Sequence, residues 1–242
     1  PTAGTVTLGT CTVPYHDTIQ TGDKVGARFG GSTTGNSVTE VRYDGGDRYG
    51  AIYVQDTGSW SFGDIKVGTV YIPGTLIANG TIDTDYGGLQ LQNGGTLHYN
   101  NAGAVLDNFK IYGGSSMDNS SGAAIPSSTH NAAQTWYGDW TFIGSNGADS
   151  DLNLGSGTTT LSGNRKVTIQ NAAATLTVGG VVTDGGNSYS VTKAGAGTLD
   201  LDGNNTYNGN TTVEGGTLSI AYAYLDDSST VAVSNGATLN LD

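Results

Sequence analysis

Short runs of alternating apolar and polar residues recur along the chain, and the clearest lie in residues 193–242. Three runs share one phrase, in which a glycine precedes Thr-Leu, a polar residue and an apolar residue. The central leucines of these runs are Leu199, Leu218 and Leu239. Since side chains alternate between the two faces of a strand, the apolar residues of each run share one face. A short strand that returns after about 20 residues, with no helix between copies, is typical of a solenoid.

One such strand cannot bury its leucines alone. If each copy stacks on the next at about 4.8 Å, the leucines form an internal ladder and the backbones pair from coil to coil. Residues 202–205 and 207–210 are rich in Gly and Asn, which tolerate the positive φ angles that tight corners need. The pattern therefore predicts an all-β fold, a parallel β-helix. Its predicted core ladder consists of Leu161, Leu176, Leu199, Leu218 and Leu239.

Residues 195–218 read GAGTLDLDGNNTYNGNTTVEGGTL. This stretch resembles the autotransporter-associated β-strand repeat of bacterial surface passengers. The likeness is close over residues 193–220, looser over residues 152–242, and does not reach residues 1–90. It implies a secreted, surface-displayed, right-handed β-helix with a structural or adhesive role, and it names no catalytic residue. The chain starts at Pro1 without an apolar leader, so we expect that a leader has been removed or that the chain is a fragment.

The first third of the chain is less repetitive. Residues 38–72 contain longer and more aromatic strands, with turn clusters of the hairpin kind at residues 44–47 and 56–59. We therefore predict a β-rich N-terminal head or cap over residues 1–75, which would cover the open end of a β-helix formed by residues 76–242. The alternative is that residues 1–75 form irregular β-helix coils.

Composition and charge narrow the class of protein. The chain has 40 glycines among 242 residues and only 12% charged residues, against roughly 25% in a typical soluble domain. The net charge of −12 and the lack of a basic cluster argue against binding to nucleic acid or to an anionic membrane. No apolar run approaches the roughly 18 residues of a membrane span, so we expect no membrane insertion. Cys11, the single cysteine, cannot form an internal disulfide.

Acidic residues provide the strongest candidate for catalysis. Asp200 and Asp202 share one face of a strand at about 7 Å, a separation that suits an inverting glycosidase. However, Ser219 and Asn240 replace Asp200 in the later copies, which favours a solvated strand face. Two further acid pairs are Asp83 with Asp85 and Asp149 with Asp151, and the histidines His16, His98 and His130 are scattered. We therefore predict no catalytic residue and no enzyme activity; the alternative is a carbohydrate-active β-helix protein, either a polysaccharide lyase or hydrolase or a glycan-binding adhesin.

Metal and glycan binding are the remaining candidates. Asp44, Asp47, Asp226 and Asp227 lie in turns where carboxylates could bind calcium. No EF-hand loop or calcium-binding nonapeptide array accompanies them, so we predict no cofactor, with calcium as the alternative. The densest aromatic patch contains Trp136, Tyr137 and Trp140, which would either stack on sugar rings or cover part of the core. Four glycosylation sequons begin at Asn79, Asn119, Asn204 and Asn210.

The sequence as a whole predicts a non-catalytic structural β-solenoid outside the cell or on the bacterial surface. Its role would be that of a scaffold, an adhesin stalk or a filament subunit. The last phrase stops within a strand at residues 240–242, so we expect the final coil to continue into further residues or to stack on another copy. The expected partners are therefore other copies of the chain, in a fibre or surface array, and a glycan or another ligand on a host or cell surface.

Overall fold

The computed structural model describes residues 7–13, 26–29, 36–43, 51–54, 59–92, 94–101, 108–125, 131–222 and 229–241. Within these ranges the secondary structure consists of 23 strands and a single turn of 3-10 helix at Gly147–Ser150. The strands are β1 Thr7–Val13, β2 Gly26–Phe29, β3 Asn36–Tyr43, β4 Ala51–Val54, β5 Ser59–Ile72, β6 Thr75–Ala78, β7 Ile82–Leu91, β8 Thr96–Tyr99, β9 Phe109–Ile111, β10 Ser116–Asn119, β11 Gln134–Trp136, β12 Trp140–Phe142, β13 Leu152–Asn153, β14 Thr159–Leu161, β15 Arg165–Ile169, β16 Thr175–Val178, β17 Val182–Thr183, β18 Val191–Ala194, β19 Thr198–Leu201, β20 Thr211–Val213, β21 Thr217–Ile220, β22 Val231–Val233 and β23 Thr238–Leu241.

The described strands pair in parallel and form three stacks. The first stack runs β1–β3–β5–β6–β8–β10–β12–β15–β18–β20–β22. The second runs β2–β4–β5–β7–β9–β11–β14–β17, because the long strand β5 takes part in both. The third runs β13–β16–β19–β21–β23. The predicted all-β parallel β-helix is confirmed.

One coil visits the three stacks in turn. The chain passes from β15 in the first stack to β16 in the third and β17 in the second, and then enters the first stack again at β18. Within the described residues, the third stack begins at a single bridge between Ile125 and Leu152. The register partners Leu199 and Leu218 are closer in sequence than the partners Phe142 and Ile169, so coil length varies along the solenoid.

The inward side chains of each stack form columns that make up the core. In the third stack one column consists of Leu152, Leu176, Leu199, Leu218 and Leu239, in register. Four of the five residues of the predicted core ladder therefore share a column. Leu161 does not, because β14 lies in the second stack and pairs Leu161 with Trp136. In that coil the third-stack position is already filled by Leu152, and Leu161 belongs to the next strand of the same coil.

Side-chain oxygens fasten one coil to the next at the corners. Asn164 Oδ1 accepts a hydrogen bond from the Ser190 backbone N–H at 2.9 Å, and Ser190 Oγ accepts one from Asn210 N–H at 3.0 Å. Asn210 Oδ1 then accepts from Thr230 N–H at 2.9 Å. A short polar side chain thus satisfies a backbone donor one coil further on, which explains the many Asn, Ser and Asp residues at the corners.

Backbone at some corners also approaches too closely for a side chain. A Cβ at Gly197 would collide with the carbonyl oxygen of Asn171, and Gly195 has φ +80°. These two positions of the repeat therefore require glycine.

The strands described within residues 7–72 pair in parallel, in the same way as those downstream. The division at residue 75, with a head or cap before it, stays a prediction. Cys11 lies in β1, and its side chain is outside the description.

Candidate functional site

The predicted aromatic patch is divided between the core and the surface. Trp136 is 0% exposed and Trp140 is 2% exposed, whereas Tyr137 is 44% exposed. The two indoles pack edge to face inside the solenoid, with ring centroids 5.4 Å apart. Trp136 and Trp140 therefore do not form a surface platform, because both occupy inward positions of β11 and β12. Tyr137 is the one member of the predicted set that a ligand can reach.

Tyr137 belongs to a column of side chains at the end of the second stack. Backbone hydrogen bonds place Gln92, Tyr112, Tyr137 and Ser162 at the same position in four successive coils: Tyr112 N–H donates to Leu91 O, Tyr137 N–H to Ile111 O, and Ser162 N–H to Trp136 O. We call these four residues the corner column. The rings of Tyr112 and Tyr137 stack face to face, with centroids 4.9 Å apart and planes 10° apart.

A third tyrosine and two glutamines extend this surface toward the N-terminal coils. Burial raises the pKa of Tyr112, and the nearby phenols of Tyr137 and Tyr71 raise it further. The Tyr112 hydroxyl lies 3.5 Å from Gln90 Oε1, which also accepts from Gln92 Nε2 at 3.3 Å. The result is a surface of phenol and amide groups with one strongly exposed ring.

On the C-terminal side of Tyr137 the column ends in a small residue. Ser162 Oγ donates to the Trp136 carbonyl oxygen at 3.0 Å and so lies against the backbone. Arg165 donates from Nε to the same carbonyl at 2.8 Å and from Nη2 to Ser162 Oγ at 3.2 Å. No aromatic side chain follows Tyr137 at this register position.

The acidic candidates have structural roles or face solvent. Asp200 lies at an outward position of β19, and Asp202 is exposed just after that strand. Asp151 accepts a hydrogen bond at Oδ1 from Thr175 N–H at 2.6 Å, so it fastens two coils together. Asp149 is exposed. The side chain of Asp85 and the calcium candidates Asp44, Asp47, Asp226 and Asp227 lie outside the described residues.

One histidine has an acidic partner. His98 Nδ1 lies 3.4 Å from Asp118 Oδ2, and Asp118 Oδ1 accepts from Ser145 N–H at 3.0 Å. Burial raises the pKa of Asp118, but the hydrogen bonds from His98 and Ser145 outweigh it and hold that pKa below its usual value. Asp118 therefore links three successive coils. His16 and His130 lie outside the described residues.

The strongest polar feature that pattern reasoning missed is Lys193. It occupies an inward position of β18, in register with Val167 and Val213, and is fully buried. Its ammonium donates to the carbonyl oxygens of Ala194 at 3.0 Å, Gly195 at 3.0 Å and Gly215 at 2.9 Å. The period-two rule applied to Val191–Ala194 would have placed this lysine inward.

A buried carboxylate, Asp184, fastens the corner between β17 and β18. It accepts backbone hydrogen bonds from Gly186 at 2.8 Å and from Tyr189 and Asn208 at 3.0 Å each. Burial raises its pKa, but these donors outweigh burial and hold the pKa below its usual value. These three hydrogen bonds give Asp184 a structural role in the corner.

Among the four sequons, Asn119 is fully buried and its amide donates to Ala123 O and Asp151 O. Asn79, Asn204 and Asn210 are exposed.

Two further kinds of feature are absent from the described ranges. No three His, Cys, Asp or Glu side chains there come together as metal ligands. No helix in the same ranges has the length and apolar character to span a membrane.

The parallel coils, corner glycines and the side chains that link successive coils define a β-solenoid. Residues 191–220 match the family model described as Passenger-associated-transport-repeat, which confirms the resemblance inferred from the sequence. These residues contain Lys193 and also Tyr207, whose buried hydroxyl bonds to Thr211 Oγ1 at 2.9 Å.

The chain is also similar to the adhesin BmaC autotransporter of Brucella suis biovar 1 (strain 1330). The two are 31% identical over 199 residues, which cover 80% of this chain and 5% of that protein. The chain thus spans a small fraction of the relative's length. No solved structure matches the chain significantly.

Proposed function

We propose that this chain acts as a bacterial surface scaffold of the adhesin type, displayed outside the cell and without catalytic activity. The observation that carries the proposal is the combination of a continuous parallel solenoid with an autotransporter-type repeat. The similarity to an autotransporter adhesin supports the same role. The carboxylates of Asp184, Asp151 and Asp118 accept backbone hydrogen bonds at the corners and between coils, so they have a structural role.

The coil formed by β22 and β23 suggests how such a scaffold assembles. Val213 is fully buried, but its register partner Val233 is 46% exposed. In the same way Ile220 is 1% exposed and its partner Leu241 is 53% exposed. An exposed apolar row beside a strand edge is a template for pairing with another strand. We propose that a second copy of the chain supplies that strand and that copies stack end to end.

Sedimentation velocity over a range of concentrations tests this assembly. Val233→Asp places a charge on the exposed apolar row, so we expect it to shift the wild-type chain from end-to-end oligomers to monomers. The matched control is Ala232→Asp, since Ala232 pairs with the outward residue Thr212 and points away from the core column. A wild-type chain that stays monomeric, or a Val233→Asp variant that associates as the wild type does, would contradict the proposal.

Surface display is tested separately in cells that export the chain. Antibody labelling of intact cells should detect it outside, and its absence there would argue against the scaffold role.

A further inference from the structure

The Tyr137 ring is stacked against another ring on one face and is open on the other. Tyr112 covers the other face, with centroids 4.9 Å apart, yet Tyr137 remains 44% exposed. The next coil contributes Ser162, whose hydroxyl is turned to the Trp136 carbonyl. The column therefore continues past Tyr137 with a side chain too small to cover a phenol ring.

The groups around this ring are polar. Arg165 borders the corner on the Ser162 side, where it donates to the Trp136 carbonyl oxygen and to Ser162 Oγ. Asp139, which follows Tyr137 closely in the chain, is exposed and accepts from the Lys166 backbone N–H at 2.8 Å. The surface thus combines one flat apolar face with hydrogen-bonding groups at its edge.

This combination is complementary to a sugar ring, which has an apolar face of C–H groups and hydroxyls around its edge. We propose that the corner column binds a neutral glycan, with one hexopyranose ring stacked on the open face of Tyr137. The proposal deepens the adhesin-type function proposed above, because it names a ligand class and the surface that would hold it.

Charge decides which glycan is favoured. Asp139 and Arg165 both stand beside the corner, so their charges offset each other there, and the wider field is that of a chain with a net charge of −12. An acidic polysaccharide would be repelled by this field, whereas a neutral hexose chain would not. An apolar peptide fits less well, because the exposed apolar area is one ring and not a groove.

A second exposed tyrosine provides a matched control. Tyr222 is 55% exposed, more than Tyr137. Within the described residues it has no stacked ring beside it. If exposure of a phenol were sufficient for binding, both tyrosines would contribute; if the stacked corner matters, only Tyr137 would.

The test titrates the chain with soluble neutral oligosaccharides of glucose, galactose and mannose, followed by calorimetry and by the NMR signals of the tyrosine rings. We expect at least one of these to bind, and Tyr137→Ala to weaken that binding about tenfold or more. Tyr137→Phe keeps the ring and should bind within a few-fold of the wild type, and Tyr222→Ala should bind equally well. Since Tyr137 lies at the surface, circular dichroism should show both alanine variants folded.

Three results would overturn the proposal: no binding of any neutral probe, equal weakening by Tyr137→Ala and Tyr222→Ala, or binding of uronate-containing or sialylated probes alone. None of them affects end-to-end stacking, which sedimentation measures without sugar. Failure of the glycan site is therefore distinguishable from failure of the scaffold role.

Discussion

Replacement of Lys193 by methionine tests how the repeat holds its corner. Lys193 occupies the inward position that valines occupy in the coils before and after it. Its ammonium lies 2.9 to 3.0 Å from three carbonyl oxygens on two coils. Methionine has a similar length and fills the same space, but it cannot donate a hydrogen bond. The substitution therefore measures the contribution of the ammonium to stability separately from that of the apolar stem of the side chain.

Two opposing contributions set the magnitude. Three hydrogen bonds from a charged donor contribute roughly 5 to 9 kcal/mol together. Against this, burial lowers the Lys193 pKa from 10.5 to about 8, which corresponds to a penalty of about 3 kcal/mol for the buried charge. We therefore expect Lys193→Met to lower the free energy of unfolding by roughly 2 to 5 kcal/mol, since three carbonyl groups lose their donor.

Urea unfolding at neutral pH, followed by far-UV circular dichroism, measures this difference. The control is Lys166→Met, one coil earlier, which removes a surface ion pair of 2.8 Å with Glu214. The Lys166 and Glu214 side chains are each 43% exposed, so Lys166→Met should lower the free energy of unfolding by at most about 1 kcal/mol. If Lys193→Met is as stable as Lys166→Met, or more stable than the wild type, the ammonium does not hold the corner and this reasoning is wrong.

Three further predictions concern the same coils. Above pH 8 the folded chain loses the Lys193 proton while the unfolded chain keeps it to about pH 10.5, so wild-type stability should rise over that window and the rise should be absent in Lys193→Met. Asp184→Ala should be less stable than the wild type by about 2 to 4 kcal/mol above pH 4. Because the folded chain lowers the pKa of this carboxyl, its contribution to stability is complete above the unfolded pKa of roughly 4 and is lost as the pH falls through the folded pKa, so the difference between the variants should close in acid. A pH series of urea unfolding checks both the Lys193 and the Asp184 predictions. Leu218→Ala should cost about 2 to 5 kcal/mol, whereas Thr217→Ala, at an outward position, should change stability by under about 1 kcal/mol; equal losses in the two would refute the inward column.

Local sequence pattern accounts for much of the fold. Alternation of Thr and Leu in three phrases determines which side chains point inward, and this depends only on the two-residue period of a strand. The regular return of each phrase predicted parallel coils, because a lone strand cannot bury its leucines. Leu199, Leu218 and Leu239 accordingly lie in one column.

The same period could have corrected the aromatic patch. Trp140 and Phe142 alternate with Thr141, as Gln134 and Trp136 alternate with Thr135, so strand geometry alone places both tryptophans on the inner face. Tyr137 follows the last residue of β11, and the same alternation places it on the outer face. Its exposure was therefore accessible to sequence reasoning from the two-residue period.

Contacts between coils required the tertiary structure. Tyr112 meets Tyr137 of the next coil, and Leu161 pairs with Trp136 because its coil already contributes Leu152 to the leucine column. No local signal reports either neighbour, because coil length varies. Lys193 likewise finds its three carbonyls only when two corners stack. The sequence alone determined the period and the inward face of each strand, since both are local properties of the backbone. The tertiary structure decided which residues become neighbours between coils, because that depends on the summed length of every corner between them.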